Sequence, residues 1–149
     1  MIYEDRVSSE LEKKAKRLQG KTFNLEDVDA SILQTFPYQY LQRPITIEHT
    51  TSEFTCLCPF SGLPDFAKLT IRYTPFKKCI ELKSLKYYLY SFRQVKAFNE
   101  HVINKILEDL VKVVKPRQME IIGEFTIRGG ITNKVSASYK RKVKSQFFP

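Results

Sequence analysis

The chain has 149 residues, a net charge of +9, 42% hydrophobic residues and three cysteines. Its length and apolar content fit one domain, and we expect residues 1–149 to form it, with 1–43 as an N-terminal helix and irregular lead-in. An odd cysteine count argues against a disulfide framework. No apolar run approaches the roughly 20 residues of a membrane span, and residues 1–30 are too charged for a signal peptide. We therefore expect a cytoplasmic protein.

The first half of the chain predicts one charged helix and two strands. Residues 3–20 are charged and helix-prone, whereas 21–43 show no periodicity. Apolar and polar residues alternate at 45–48 and again at 67–73, as they do in strands that bury one face. A turn-rich loop separates these two strands and predicts that they are antiparallel neighbours.

The second half predicts two amphipathic helices and a hairpin. Apolar residues recur at helical spacing in 85–92 and in 103–114. Alternation returns at 119–127 and 131–139, on either side of a Gly-Gly pair that suits a turn. The order is therefore α+β: a four-stranded antiparallel sheet with two helices on one face. Such a sheet leaves one face and two edges uncovered, so we expect it to self-assemble.

The loop between the first two strands contains the most reactive residue types. Cys58 begins this loop and Asp65 ends it, with prolines and a glycine between them that make it tight. A thiol and a carboxylate at one small site can act as a nucleophile and a proton carrier. A free cysteine is more often a small buried hydrophobe, and spacing alone leaves both interpretations open. Cys56 and Cys79 fit that structural role.

A zinc centre is a competing interpretation of the same region. Cys56, Cys58 and His101 could supply three ligands of such a centre. The Cys-x-Cys spacing, however, is shorter than the usual gap of two to four residues. The other histidine, His49, falls on the first predicted strand. We therefore expect no metal.

Charged residues at two helix starts and at the hairpin are further candidates. Lys83 and Lys86 share one helix face near an N-terminus, which suits phosphate groups. The sequence has no Gly-x-Gly-x-x-Gly or Walker loop, so charge must hold any dinucleotide. Arg128 precedes Gly129, where a backbone without a side chain permits close approach. Glu100 opens the second helix and either favours its dipole or accepts two parallel hydrogen bonds from a guanine-like edge.

Five ordered sequence blocks resemble one known family. They are FTCLCP at 54–59, GLPDFA at 62–67, ELKSLK at 81–86, SFR at 91–93 and GEFTIRGG at 123–130. The family is that of the NADPH-dependent 7-cyano-7-deazaguanine reductases, the nitrile reductases of queuosine biosynthesis, in their single-domain form. The resemblance implies the tunnelling fold, whose ββααββ subunits assemble into barrels, here a pentamer or decamer, with active sites between subunits.

The resemblance also implies a role for each candidate residue. Cys58 would be the nucleophile and Asp65 the proton donor. The residues that would bind the deazapurine nitrile are Ile80, Glu81, Leu82, Asn99 and Glu100. The residues that would contact the cofactor NADPH are Lys83, Arg128 and Gly129. The nitrile would be reduced to a primary amine through a covalent thioimidate and two hydride transfers, without metal, membrane or direct nucleic-acid contact.

Three positions depart from the pattern of the family. Asn99 stands where the family usually has histidine, and His101 follows instead, which weakens the expectation for the second substrate contact. Leu82 replaces a common serine, so only backbone contacts carry over there. Ile127 replaces a common proline, a change that we expect to be tolerated.

Two other functions are compatible with parts of the sequence. One is a tunnelling-fold pterin enzyme related to the zinc-dependent GTP cyclohydrolase I, which needs paired histidines near its cysteine that this chain lacks there. The other is a small basic RNA-binding module, which the charge of +9 and 13% aromatic residues permit. The RNA-binding interpretation leaves the loop between Cys58 and Asp65 unexplained.

Overall fold

A computed structural model describes residues 20–143. Residues 3–19 of the predicted N-terminal helix lie outside this range. The elements in chain order are two 3-10 turns (Leu25–Asp27, Ala30–Ile32), β1 (Thr35–Pro37), β2 (Ile47–Leu57), β3 (Pro64–Thr74), β4 (Lys78–Ile80), α1 (Leu82–Tyr90), a third 3-10 turn (Ser91–Gln94), α2 (Asn99–Val114), β5 (Gln118–Arg128) and β6 (Ile131–Lys140). None of the helices in the described part is long and apolar enough to cross a bilayer.

The main sheet has four antiparallel strands in the order β2-β3-β5-β6. This confirms the predicted order of two strands, two helices and two strands. A separate two-stranded sheet pairs β4 with β1, which lies where the sequence had indicated an irregular lead-in. That prediction was wrong because a three-residue strand is too short to show an alternating pattern.

The hydrophobic core lies between the sheet and the two helices. Alternate residues of β3 and β5 point into it, as the period of two requires, and β2 alternates on either side of a register shift between Thr51 and Phe54. The apolar stripe of α2 packs against this face with fully buried side chains such as Ile103 and Leu110. The helix ends at Val114 because Lys115 takes a left-handed conformation, with φ of 50°, and Pro116 follows.

Gly123 sets how closely α2 approaches the sheet. It lies on β5, and a Cβ added there would stand 2.6 Å from Cδ1 of Ile103 and 2.9 Å from Cε2 of Phe125. Only a residue without a side chain therefore permits this packing distance. The contact holds α2 against β5, and the N-terminus of this helix belongs to the candidate site.

A buried polar network joins the two helices. The hydroxyl of Tyr88 on α1 donates a hydrogen bond of 2.7 Å to Oδ2 of Asp109 on α2. The other carboxylate oxygen accepts a hydrogen bond of 3.0 Å from Nζ of Lys105. Tyr88 and Asp109 are almost fully buried, and both carboxylate oxygens have a partner. The network fixes α1 relative to α2.

The face of the sheet that the helices leave uncovered is polar. Glu48, Arg72 and Glu120 are paired across three strands, and Nη2 of Arg72 lies 2.8 Å from the Glu48 carboxylate. Water can solvate such a face, so the face by itself does not require a partner. The unpaired backbone lies mostly along the outer edges of β2 and β6. Any tendency to self-assemble through backbone pairing therefore resides in those edges.

Candidate active site

Cys58 lies on a tight turn that directly follows β2. Its backbone N–H donates to the carbonyl of Leu63 and its carbonyl accepts from the N–H of Gly62, both at 2.9 Å. Gly62 has φ of 71°, a conformation that glycine adopts without strain. The turn reverses the chain into β3, so that Asp65 pairs with Cys56 in the sheet. The thiol of Cys58 is thus half-buried and outside the core, whereas Cys56 and Cys79 are buried.

The turn favours the thiolate form of Cys58. Partial burial raises the pKa of this thiol and the charge of Asp65 raises it further, but hydrogen bonds from the Ser61 hydroxyl and from the backbone N–H groups of Ser61 and Phe60 lower it more. The net pKa of Cys58 is therefore below its ordinary value. Burial raises the pKa of Cys56 to about 12, so that thiol stays protonated. Of these two cysteines, Cys58 therefore has the lower pKa and the larger thiolate fraction.

Asp65 is a buried carboxylate, with 8% of its surface exposed. Burial raises its pKa, and the nearby guanidinium of Arg128 opposes this rise without cancelling it. The Asp65 carbonyl accepts a hydrogen bond of 2.8 Å from Oγ1 of Thr55, which fixes the backbone. A carboxyl group with a raised pKa beside a thiol is suited to accept and return a proton.

Asp65 lines a pocket of about 310 Å³ together with the start of α2 and the end of β5. The residues that line it are Asp65, Asn99, Glu100, Phe125, Thr126, Arg128, Ile131 and Asn133. Four of the predicted site residues therefore come together here. Oδ1 of Asn99 is buried and has no hydrogen-bond partner among the described residues. An orphaned acceptor beside the Glu100 carboxylate is available for a donor on a bound ligand.

The other predicted substrate residues occupy a different part of the subunit. The Ile80 side chain is buried, and its backbone N–H donates to the hydroxyl of Tyr73 at 2.9 Å. The Glu81 carboxylate caps α1, accepting from the N–H groups of Lys83 and Ser84 at 2.8 and 2.7 Å. Leu82 and the Lys83 side chain are exposed.

Ile80 is anchored at the end of β3 opposite to the Cys58 turn. Asp65 stands at the first end, and Tyr73, which holds Ile80, stands at the other. Eight residues of strand separate them, a distance of roughly 26 Å. Asp65 and the anchor of Ile80 are thus at different ends of the same strand.

A second pocket, of about 240 Å³, lies between β2 and α1. Leu82 lines it, as do His49, Leu85 and Leu89, but neither Cys58 nor Asp65 does. Burial lowers the pKa of His49, and its Nε2 has no partner among residues 20–143. Because its walls are largely apolar and contain no cysteine, we place the chemistry at the Cys58 turn instead.

The described residues contain no group of three or more His, Cys, Asp or Glu side chains placed to hold a metal ion. Cys56 is buried in the core, and the ring of His101 stacks edge-on against Phe98 at 5.8 Å. The three residues of the zinc interpretation are therefore not assembled as a ligand set.

Comparison with known proteins identifies the family. Residues 64–144 match the sequence model described as QueF-like protein. The "NADPH-dependent 7-cyano-7-deazaguanine reductase" of Caldicellulosiruptor bescii is 51% identical over 119 residues, which cover 80% of this chain and 91% of that protein. The chain belongs to this reductase family. The identically named protein of Chloroherpeton thalassium is 56% identical over 109 residues, covering 73% of this chain and 94% of its own.

A solved structure agrees with the fold. The archaeosine synthase QueF-Like in its apo form superimposes with a TM-score of 0.58 and covers 67% of this chain and 96% of its own. Sequence identity is 17%, so this likeness concerns the fold alone. The α+β arrangement of the chain therefore fits a tunnelling-type fold, as the sequence resemblance implied.

Sequence reasoning missed two residues that shape the site. Ser61 stabilises the Cys58 thiolate, and Thr55 anchors the Asp65 backbone. A serine three residues after a cysteine in a turn is a local signal that could have been recognised. The contact of Thr55 depends on the register between β2 and β3, so the sequence carries no comparable local signal for it.

Proposed function

We propose that this chain reduces the nitrile of 7-cyano-7-deazaguanine to the primary amine 7-aminomethyl-7-deazaguanine with NADPH, as a cytoplasmic oxidoreductase of queuosine biosynthesis. Relatives about half identical over most of the chain bear the name of this activity. The observation that supports the chemistry best is the pairing of a thiolate-stabilising turn at Cys58 with the buried carboxylate of Asp65.

The first step is covalent capture of the nitrile by Cys58. A nitrile carbon is a modest electrophile, and a thiolate is a strong nucleophile that needs little activation. The lowered pKa of the Cys58 thiol increases the thiolate fraction near neutral pH. Sulfur adds to carbon, the C≡N bond becomes C=N, and the product is a thioimidate on Cys58.

Asp65 manages the proton of this addition. Attack on the carbon places negative charge on the nitrile nitrogen, which must be protonated as it forms. Asp65 accepts the proton of the thiol and delivers it to the nitrogen, so that no nitrogen anion accumulates. The raised pKa of this carboxyl group lies closer to neutral pH, which suits both accepting the proton from the thiol and donating it to the nitrogen.

The start of α2 provides groups that recognise a guanine-like base. Exposed Glu100 is acceptor-only when ionised and can take two parallel hydrogen bonds from adjacent N–H donors. Beside it, Oδ1 of Asn99 is buried and unpaired, so it can accept from a further N–H group. In this proposal Asn99 takes the place of the usual histidine.

NADPH is the cofactor that the family name implies, and the exposed cations of the site fit its phosphates. The side chain of Arg128 is 51% exposed, Lys83 is exposed, and a Cβ at Gly129 would meet no atom within 4 Å. Arg128 and Gly129, with Lys83 supplied by a neighbouring subunit, would hold the cofactor, and two NADPH molecules would each supply one hydride. The first hydride transfer would give a tetrahedral adduct, from which Cys58 leaves as a thiolate, as its lowered pKa favours, and an imine remains. The second hydride transfer, together with a proton, would reduce this imine to the primary amine.

We further propose that neighbouring subunits complete each site. Ile80 is anchored at the end of β3 opposite to the Cys58 turn, so a substrate held at the Cys58 turn of one subunit would be reached by the Ile80–Leu82 stretch of a neighbour. The open edges of β2 and β6 can pair and extend the sheet into a barrel, as a pentamer or decamer. Ile80 and Leu82 would contribute backbone groups, and Glu81 a carboxylate already used in capping α1.

Mass spectrometry of the protein incubated with the nitrile alone tests the covalent step. Wild type should gain the full mass of the substrate, because addition to a nitrile releases no leaving group. Cys58→Ala and Cys58→Ser should show no adduct and no turnover while keeping the fold. Cys79→Ala, a substitution at a buried cysteine outside the site, should still form the adduct. An unmodified wild-type mass at saturating nitrile contradicts the proposal.

A further inference from the structure

Arg128 makes contacts at the end of β5 that a purely cofactor-binding role does not explain. Its Nη2 donates a hydrogen bond of 2.9 Å to the carbonyl of Pro64 and forms an ion pair with Oδ1 of Asp65. One guanidinium thus holds both the backbone and the side chain at the start of β3. A planar group with several donors is well suited to this double contact.

Asp65 meets different groups on each element that packs against it. The buried, protonated thiol of Cys56 lies opposite on β2, and the thiol of Cys58 lies on the turn. The Glu100 carboxylate of α2 lines the same pocket. Arg128 of β5 is the one cation among the described residues that line this pocket. It is therefore the counter-charge available to Asp65.

Burial and Arg128 act on Asp65 in opposite directions. Burial raises the pKa of this carboxyl group, and the positive charge of Arg128 lowers it. Without the guanidinium, burial would act unopposed and Asp65 would hold its proton to a higher pH. A protonated Asp65 cannot accept a second proton from the thiol.

We propose that Arg128 is a positioning residue for the covalent step: its ion pair keeps the Asp65 carboxylate ionised and oriented to accept the proton of Cys58. This inference rests on the proposed function, because it assumes that Cys58 adds to the nitrile. In the step, the S–H bond breaks and its proton passes to Asp65 while sulfur bonds to carbon. Asp65 then returns the proton to nitrogen and is ionised again, so no oxidant or reductant is consumed.

The rate of adduct formation without NADPH, followed by mass spectrometry across a range of pH, tests this role apart from cofactor binding. In wild type the rate should rise with pH as Asp65 loses its proton. In Arg128→Gln this rise should move to higher pH, because burial then acts alone. On the acidic side the variant should react about tenfold more slowly than wild type, and the two rates should converge as pH increases.

Arg128→Lys separates charge from geometry. Lysine keeps the positive charge but lacks the planar guanidinium that contacts Pro64 and Asp65 together. The rate of adduct formation should therefore rise over the same pH range as in wild type, while its maximal value falls. Arg72→Gln is the matched control, because Arg72 also pairs with a carboxylate but lies on the open face of the sheet. Its pH profile should superimpose on that of wild type.

The possible results separate this inference from the proposed function. An Arg128→Gln profile that superimposes on wild type, or a loss of rate by the same factor at every pH, overturns the role of Arg128 while the covalent step stands. Absence of any adduct in wild type overturns the proposed function and this inference with it. If Arg128→Gln does not fold, the test falls to Arg128→Lys. Because this variant retains the charge, a rise in its reaction rate that is shifted to higher pH likewise overturns the proposal.

Discussion

The buried network between the helices gives a prediction whose size follows from the structure. Tyr88→Phe removes the hydroxyl that donates to Asp109 at 2.7 Å and leaves one buried carboxylate oxygen without a partner. The phenyl ring fills the same space, so no cavity forms. A hydrogen bond to a charged group contributes about 1.5–3 kcal/mol. Since Lys105 still pairs with the other oxygen, we expect a loss of about 2 kcal/mol in the free energy of unfolding.

The assay is thermal unfolding at a fixed protein concentration. For a chain of about this length each kcal/mol lowers Tm by about 2–4 °C, so Tyr88→Phe should unfold about 4–8 °C below wild type. Tyr87→Phe is the control: it removes the hydroxyl of an adjacent, half-exposed tyrosine that has no hydrogen-bond partner among the described residues. If the two variants unfold within about 1 °C of each other, the network does not stabilise the fold as argued here.

Four further outcomes are expected. Gly123→Ala should destabilise the protein by about 1–3 kcal/mol in denaturant titrations. Adding Ile103→Val to this variant should relieve part of the loss, because it removes the Cδ1 atom that would stand 2.6 Å from the new Cβ. Glu81→Gln should lower Tm at neutral pH. Hydrogen bonds from the first N–H groups of α1 lower the pKa of Glu81, so the stabilisation by this carboxylate is lost as pH falls through that lowered pKa. The difference in Tm between Glu81→Gln and wild type should therefore shrink in acid. Glu100→Gln should weaken binding of the deazapurine about 10–100-fold in calorimetry, since the amide cannot accept two charge-assisted hydrogen bonds. Incubation with a chelator should leave NADPH oxidation unchanged, and metal analysis should find no stoichiometric zinc.

Local features of the fold followed from the sequence with good agreement. The alternation at 67–73 and 119–127 predicted β3 and β5, and the helical spacing at 103–114 predicted α2. Such patterns are set by the geometry of the backbone over a few residues, with periods of 2 and 3.6. The short sheet of β1 and β4 escaped prediction because three residues span little more than one period.

The candidate site, like the fold, could be predicted from the sequence only in part. Cys58 and Asp65 could be placed together from the sequence because one short loop joins them. The resemblance placed Ile80 and Leu82 at a site between subunits, and within one subunit the N–H of Ile80 is anchored to Tyr73, at the far end of β3 from Asp65. Whether another copy of the chain brings them together stays a prediction that depends on the assembly.

The sequence by itself determined the order of the two helices and of the strands of the main sheet, the tight turn that contains Cys58 and the family of the protein. The tertiary structure alone decided that Arg128 reaches Asp65, that Asp109 is buried against Tyr88, and that Thr55 holds the backbone of β3. Arg128 lies 64 residues after its partner Pro64, and nothing in the residues between them records the contact. It arises from the pairing of β3 with β5, since strand register fixes which distant side chains share one end of a sheet.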